Sequence, residues 1–188
     1  IRDRNEGWKT WLIDNSQLTI DNSKGNHQSP IINCQIPHNW DDYYGYRQLT
    51  HGNLHGTAMY VKDFSLDNYP LSTVNSQLKK RYFLRFEGVG TYATIKVNGH
   101  DFGRYPVGRT TLTLDVTDAL KQGTNRLEAK AEHPEMIADM PWVCGGCSSE
   151  WGFSEGSQPL GIFRPVVLEA TDEIRIEPFG VHICNDEK

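Results

Sequence analysis

No stretch of this chain approaches the ~20 consecutive apolar residues of a bilayer span, and no charged start followed by an apolar core marks a secretory leader. A membrane partner is therefore not expected. Positive charge is also in short supply: 19 Lys and Arg against 24 Asp and Glu leave a formal charge of −5 and an isoelectric point near 5.8. Without a basic stripe to neutralise phosphates, the chain is not expected to bind nucleic acid. Sustained helical periodicity is missing, as are internal repeats and low-complexity tracts, so bundles and solenoids fall away. Cysteine is scarce too. Cys34 and Cys184 are isolated, and Cys144-Gly-Gly-Cys147 supplies only half of the four ligands that tetrahedral zinc requires. No βαβ pattern surrounds that pair to suggest a redox motif, which leaves free thiols or a local disulfide formed in an oxidising compartment.

What is present is strand chemistry. From Tyr82 to His100 the chain alternates with a period of two: Tyr82, Leu84 and Phe86, then a Gly88-Val89-Gly90 break, then Thr91, Ala93, Ile95 and Val97. The second run stops at Asn98-Gly99, the dipeptide best suited to positive φ at both centres of a type I′ turn, and His100–Gly103 returns as its partner. A hairpin is predicted there. The 188 residues suit one domain, and nine prolines, seventeen glycines and scattered β-branched residues point to an all-β class.

Along the chain, Trp8–Ile13 reads as a first strand and Asp14–Pro30 as loop. Ile31, Ile32 and Ile36 suggest a short buried segment. Asp41–His55 reads as a surface excursion, and Ala58–Leu66 as a strand irregular enough to carry a bulge. Leu112, Leu114 and Val116 share a strand face; Thr117 or Asp118 is placed to cap one helical turn, which Gly123 ends. Leu127, Ala129 and Ala131 form another strand. From His133 to Leu160 periodicity vanishes for longer than a compact domain normally tolerates without a functional reason. Order returns with Gly161–Glu169 and a last alternating run from Ile174 to Ile183. The expected architecture is an all-β, two-sheet sandwich of jelly-roll type, with a barrel as the alternative. Such folds place their loops at the two ends, so Asp41–His55 and His133–Leu160 are expected at one shared rim.

Five segments, in this order and spacing, resemble the N-terminal sugar-binding domain of glycoside hydrolase family 2: PHNW at Pro37–Trp40, GTAMY at Gly56–Tyr60, RFEGVGTYATIKVNGHDFG at Arg85–Gly103, LDVTDALKQGTNRL at Leu114–Leu127, and GIFRPVVL at Gly161–Leu168. The resemblance covers nearly the whole chain. It implies a galactose-binding-domain-like jelly roll over residues 1–188, with the last few residues leading to an immunoglobulin-like domain and then a (β/α)8 barrel. It also implies a carbohydrate partner, a β-glycoside. The family's two catalytic glutamates belong to the barrel, so this piece is expected to hold no catalytic residue and to be inactive by itself. A secreted or periplasmic polysaccharide-degrading enzyme is the expected parent.

In the β-galactosidase branch this domain lends loop residues to the barrel's pocket, and the resemblance carries that role onto Asn53, just before Gly56, and Glu155, six residues before Gly161. Glu155 stands where the family has aspartate. The resemblance implies no cofactor; a cation held near Glu155 is the one ion it allows for. Trp142 and Trp151 join the substrate-binding set, because an apolar ring fits the C–H face of a pyranose; the same rings could instead pin their own loop. Glu150 and Glu155 are not read as a catalytic pair, since hydrolysis needs two carboxyl groups at a set separation. His38 and Trp40 read as core or turn residues, and Arg164 as a buried partner for a carboxylate such as Glu87. Two other classes stay open: an autonomous carbohydrate-binding module, and a structural or interaction domain with an exposed apolar flank.

Overall fold

The computed structural model describes residues 2–3, 5–13, 30–41, 54–67, 80–137, 147–148 and 159–184. Among these, the strands are β1 (Arg2–Asp3), β2 (Trp8–Ile13), β3 (Ile32–Cys34), β4 (Gly56–Ser65), β5 (Arg81–Phe86), β6 (Val89–Val97), β7 (His100–Gly108), β8 (Leu112–Asp115), β9 (Thr124–His133), β10 (Met136–Ile137), β11 (Cys147–Ser148) and β12 (Val166–Thr171). The one helical turn among them is 3-10, at Thr117–Ala119. A six-stranded antiparallel sheet runs β3-β2-β4-β9-β6-β7, and a four-stranded one runs β1-β12-β5-β8. The expected all-β sandwich is the fold.

Alternation decides which faces meet. In β9, Asn125, Leu127, Ala129, Ala131 and His133 are buried, while Arg126, Glu128, Lys130 and Glu132 point outward. Ala58, Ala131 and Ala93 lie directly opposite one another across β4, β9 and β6. This row of small side chains keeps the middle of the large sheet low. Tyr82, Leu84 and Phe86 of β5 and Val166 and Leu168 of β12 share one buried cluster with Trp8, Tyr60, Ile95 and Leu127 of the large sheet. Each fully buried Leu or Phe contributes about 1.5–3 kcal/mol, and this shared core holds the layers together.

The Asn98-Gly99 hairpin forms as read, with φ of 51° and 83° at its two centres. Asn98 does more than turn the chain. Its side-chain N–H groups donate to Ala119 O (2.8 Å) and to Asn125 Oδ1 (2.7 Å), and its Oδ1 accepts from Arg126 N (2.9 Å). Asn125, fully buried, also accepts from Lys121 N and donates to Lys121 O and Gly123 O. Two side-chain amides thus close one end of the sandwich with their polar groups satisfied.

Several expectations are corrected. The alternating runs 82–87 and 91–97 do not pair with each other: β5 belongs to the small sheet and β6 to the large one. The chain crosses between layers at Glu87-Gly88, where Glu87 N–H bonds Pro165 O (3.1 Å). β4 carries no bulge and pairs without slip against β9 over ten residues; the irregularities fall between β6 and β7 instead. Neither Thr117 nor Asp118 caps the 3-10 turn, because the Thr117 hydroxyl accepts from Tyr82 N (2.9 Å) and donates to Asp115 Oδ1 (2.5 Å). Ile31, just before the edge strand β3, and Ile32 at its start are exposed, leaving Ile36 buried. Arg164 is exposed; it donates to Arg109 O (3.1 Å), while Glu87 pairs with Arg85 (3.6 Å). The run from Ile174 to Ile183 joins no described sheet, and its apolar side chains face out. Between His133 and Leu160, two residues of β10 pair antiparallel with β11, Ile137 opposite Cys147.

Asn125→Ala removes the group that satisfies Lys121, Gly123 and Asn98 together. It is expected to lower unfolding free energy by about 2–4 kcal/mol, read as a lower urea midpoint at constant m-value.

Candidate functional site

Two long aperiodic segments leave and re-enter the described fold at one place. The first departs after Asp41 and returns at Leu54-His55; the second departs after Ile137, with Cys147-Ser148 described on the way, and returns at Pro159-Leu160. Gly56 pairs with His133 in the β4–β9 ladder, which sets the return of the first beside the departure of the second. A Cβ built on Gly56 would lie 4.0 Å from the Leu160 side chain. Trp40 N–H donates to Leu160 O (2.9 Å), and His38 N–H to Ile162 O (2.8 Å). All four roots therefore meet at one rim, as expected from the sequence. β2 also ends there, Ile13 facing Thr57, whereas the Asn98-Gly99 turn closes the other end.

Beneath the rim lies a polar knot in an apolar setting. Tyr60, fully buried, shares a 2.8 Å hydrogen bond with His38 Nδ1. Trp40 Nε1–H donates to the Thr10 hydroxyl (3.3 Å), which donates to Met59 O (2.7 Å). Burial pushes the Tyr60 phenol above its ordinary value and the His38 imidazole below its own, so both stay neutral. The reading of His38 and Trp40 as core and turn residues holds. Gly161 fits between them because it has no side chain: a Cβ there would stand 2.6 Å from Tyr60 Oη and 2.7 Å from His38 O, at a φ of 144°.

At the surface, a cleft of about 420 Å³ opens beside His55, Thr57, Arg104, Glu132, His133 and Glu135. That volume lies within the range of small-ligand sites. The His55 and His133 rings meet edge to face, centroids 5.0 Å apart. Arg104 lies over the Tyr92 ring at 3.6 Å, and its Nε–H donates to Glu132 Oε2 (3.1 Å), which Lys130 also approaches (3.3 Å). Glu132 is thus engaged by two cations. The cleft offers hydrogen-bond donors and acceptors, with the Glu132 carboxylate already held by Arg104 and Lys130.

The residues read from the sequence as substrate-binding, Asn53, Trp142, Trp151 and Glu155, lie outside the described residues, as does the cation position allowed for near Glu155. Among the described residues no group of three or more His, Cys, Asp or Glu is gathered to hold a metal ion. Cys34 and Cys184 are free, and burial pushes the Cys34 thiol up to about 11, well away from nucleophile behaviour at neutral pH. His55, His133 and Arg104 escaped the sequence reading. Their one signal was position: a histidine stands at the end of one aperiodic stretch and at the start of the other.

Residues 35–140 match the family described as "Glycosyl hydrolase 2 galactose-binding domain-like". A β-glucuronidase of Bacteroides fragilis is 34% identical over 113 residues, 57% of this chain and 15% of that protein. A β-galactosidase of Actinobacillus pleuropneumoniae is 24% identical over 158 residues, 81% of this chain and 14% of that one. Among solved structures, a β-glycosidase from Bacteroides vulgatus superposes with a TM-score of 0.58 at 25% identity, covering 90% of this chain and 20% of its own. The chain therefore spans about one seventh of the length of these two curated relatives.

The matched region includes His38, Trp40 and Tyr60 of the knot, and two sensitive points of the knot are testable. Gly161→Ala is expected to cost roughly 2–4 kcal/mol from backbone strain and crowding; Gly99→Ala, at a φ of 83° with nothing within 4 Å, isolates the strain component. For His38, whose folded-state pKa is lowered by burial, the unfolded chain binds the proton more readily. Its contribution is complete above pH ~6.5 and declines as pH falls towards the folded-state value. Thermal melts between pH 8 and 5 should show a steeper acid-side loss for the native chain than for His38→Gln. With more than half of its length matched, the chain belongs to the glycosyl hydrolase 2 galactose-binding domain-like family.

Proposed function

We propose that this chain is the non-catalytic, sugar-binding N-terminal domain of a family 2 β-glycosidase, one that shapes the pocket of a separate barrel domain in the same polypeptide. The observation that carries this reading is the meeting of four segment roots at one rim, beside a polar cleft of monosaccharide scale. A domain built this way offers binding surface without bond chemistry. The relatives named β-glucuronidase and β-galactosidase support a β-glycoside substrate, with glucuronides and galactosides the first classes to try. Asn53, Glu155, Trp142 and Trp151 are the residues we assign to sugar contact, and a secreted or periplasmic compartment is part of the same proposal.

The apolar side chains of Ile174, Ile176, Phe179, Val181 and Ile183, between 66% and 93% exposed, support a following domain as a partner. Arg175 pins that segment by lying over the Phe83 ring at 3.1 Å, so the exposed residues have a set direction. An immunoglobulin-like domain next in the polypeptide is the partner we propose for them.

A second reading, an autonomous carbohydrate-binding module, has the cleft in its favour. Calorimetry on the 188-residue chain with glucuronate, galactose and mannose separates the two, alongside chromogenic β-glucuronide and β-galactoside assays of the chain and of the full-length polypeptide. The accessory role predicts hydrolysis by the full-length polypeptide only, and no measurable heat from the chain alone. Millimolar or tighter binding by the isolated chain would favour the module, and cleavage by it would refute both.

A further inference from the structure

The returns of both segments end on a single carboxylate. Asp41 is the last described residue before the first segment, and its Oδ1 accepts the N–H of Leu54, where that segment returns. Its Oδ2 accepts the N–H of Leu160, 119 residues away, at 2.6 Å, where the second segment returns. The Asp41 N–H itself donates to Asn39 Oδ1 (3.0 Å), and the adjoining Trp40 N–H to Leu160 O (2.9 Å), so the carboxylate is aimed by its own backbone. We propose that Asp41 is a positioning residue that couples the two returns, so that neither can shift without releasing the other.

The chemistry needs a carboxylate. An ionised Asp has two acceptor oxygens and no donor, and its hydrogen bonds to backbone N–H groups are roughly twice as strong as neutral ones. Asparagine has the same shape but one acceptor. Its NH2 would face an N–H donor at one of the two returns, so one bond must be lost. Rigid geometry then passes the loss on: Leu160 is held on its other side through its carbonyl by Trp40, the residue next to Asp41.

The test is native-state amide hydrogen exchange on the full 188-residue chain. In the native protein, the Leu54 and Leu160 amides should open as one unit, with protection factors within about threefold of each other. Protection factors differing by more than about tenfold would overturn the coupling, a result that needs no variant. In Asp41→Asn both amides should exchange about ten times faster, while the Asn98–Asn125 end keeps its protection. Asp63→Asn, an exposed carboxylate 58% accessible on β4, should leave both amides unchanged. Faster exchange at only one of the two in a folded Asp41→Asn protein would also overturn the proposal.

The effect on turnover rests on the proposed accessory role, whereas the coupling does not. In the full-length polypeptide, Asp41→Asn should raise KM for the β-glycoside more than it lowers kcat, as expected of a residue that places binding surface rather than reacting groups. Joint loosening of both amides with unchanged kinetics would support the coupling and refute the accessory role.

Discussion

A short backbone ladder, His38 and Trp40 donating to Ile162 and Leu160, is the interaction on which the rest of the rim depends. It joins stretches more than 115 residues apart in the chain and sits against β2, β4 and β6 of the large sheet. Its closeness is possible only because Gly161 and Gly90 have no side chains: the Gly90 N–H bonds Gly161 O at 3.0 Å, and a Cβ on Gly90 would fall 2.0 Å from Pro159 O. Tyr60, rising from the middle of β4, supplies the buried hydroxyl that meets His38 from below. The rim is therefore a product of the core rather than an addition to it.

The two ends of the sandwich differ in kind. At one, the tight Asn98-Gly99 turn and two mutually satisfied asparagines tie strand ends together. At the other, the strands release long stretches whose roots are gripped by backbone bonds, a carboxylate and a pair of histidine rings. Residues 35–140, the part matched to the glycosyl hydrolase 2 galactose-binding domain-like family, include roots at one end and both asparagines at the other.

What the sequence made legible was local. The Asn98-Gly99 turn, the alternation of β9 and the strand at Gly56–Ser65 follow from side-chain period and turn chemistry within about ten residues. What it concealed depended on which layer a strand joins. Tyr82–Phe86 and Thr91–Val97 carry the same alternation, yet belong to opposite sheets, because alternation reports a buried face and not a partner. The run at Ile174–Ile183 has strand period without a described sheet to join. Arg164 reads as buried from its apolar neighbours but sits at a crossing where its guanidinium reaches a carbonyl at the surface. At the site, the family pattern singled out Asn53 and Glu155, whereas the juxtaposition of His55 with His133 rests on register between β4 and β9, which no local pattern encodes.

The central claim is that the rim bearing the four roots is the face that meets sugar. Difference hydrogen exchange on the full-length polypeptide, with and without a non-hydrolysable β-glycoside that saturates it, tests this directly. The account predicts new protection at residues 54–57, 132–135 and 159–162, with none at 97–100 or 117–125. Protection confined to the turn end, or a bound glycoside that leaves the rim amides unchanged, would contradict it.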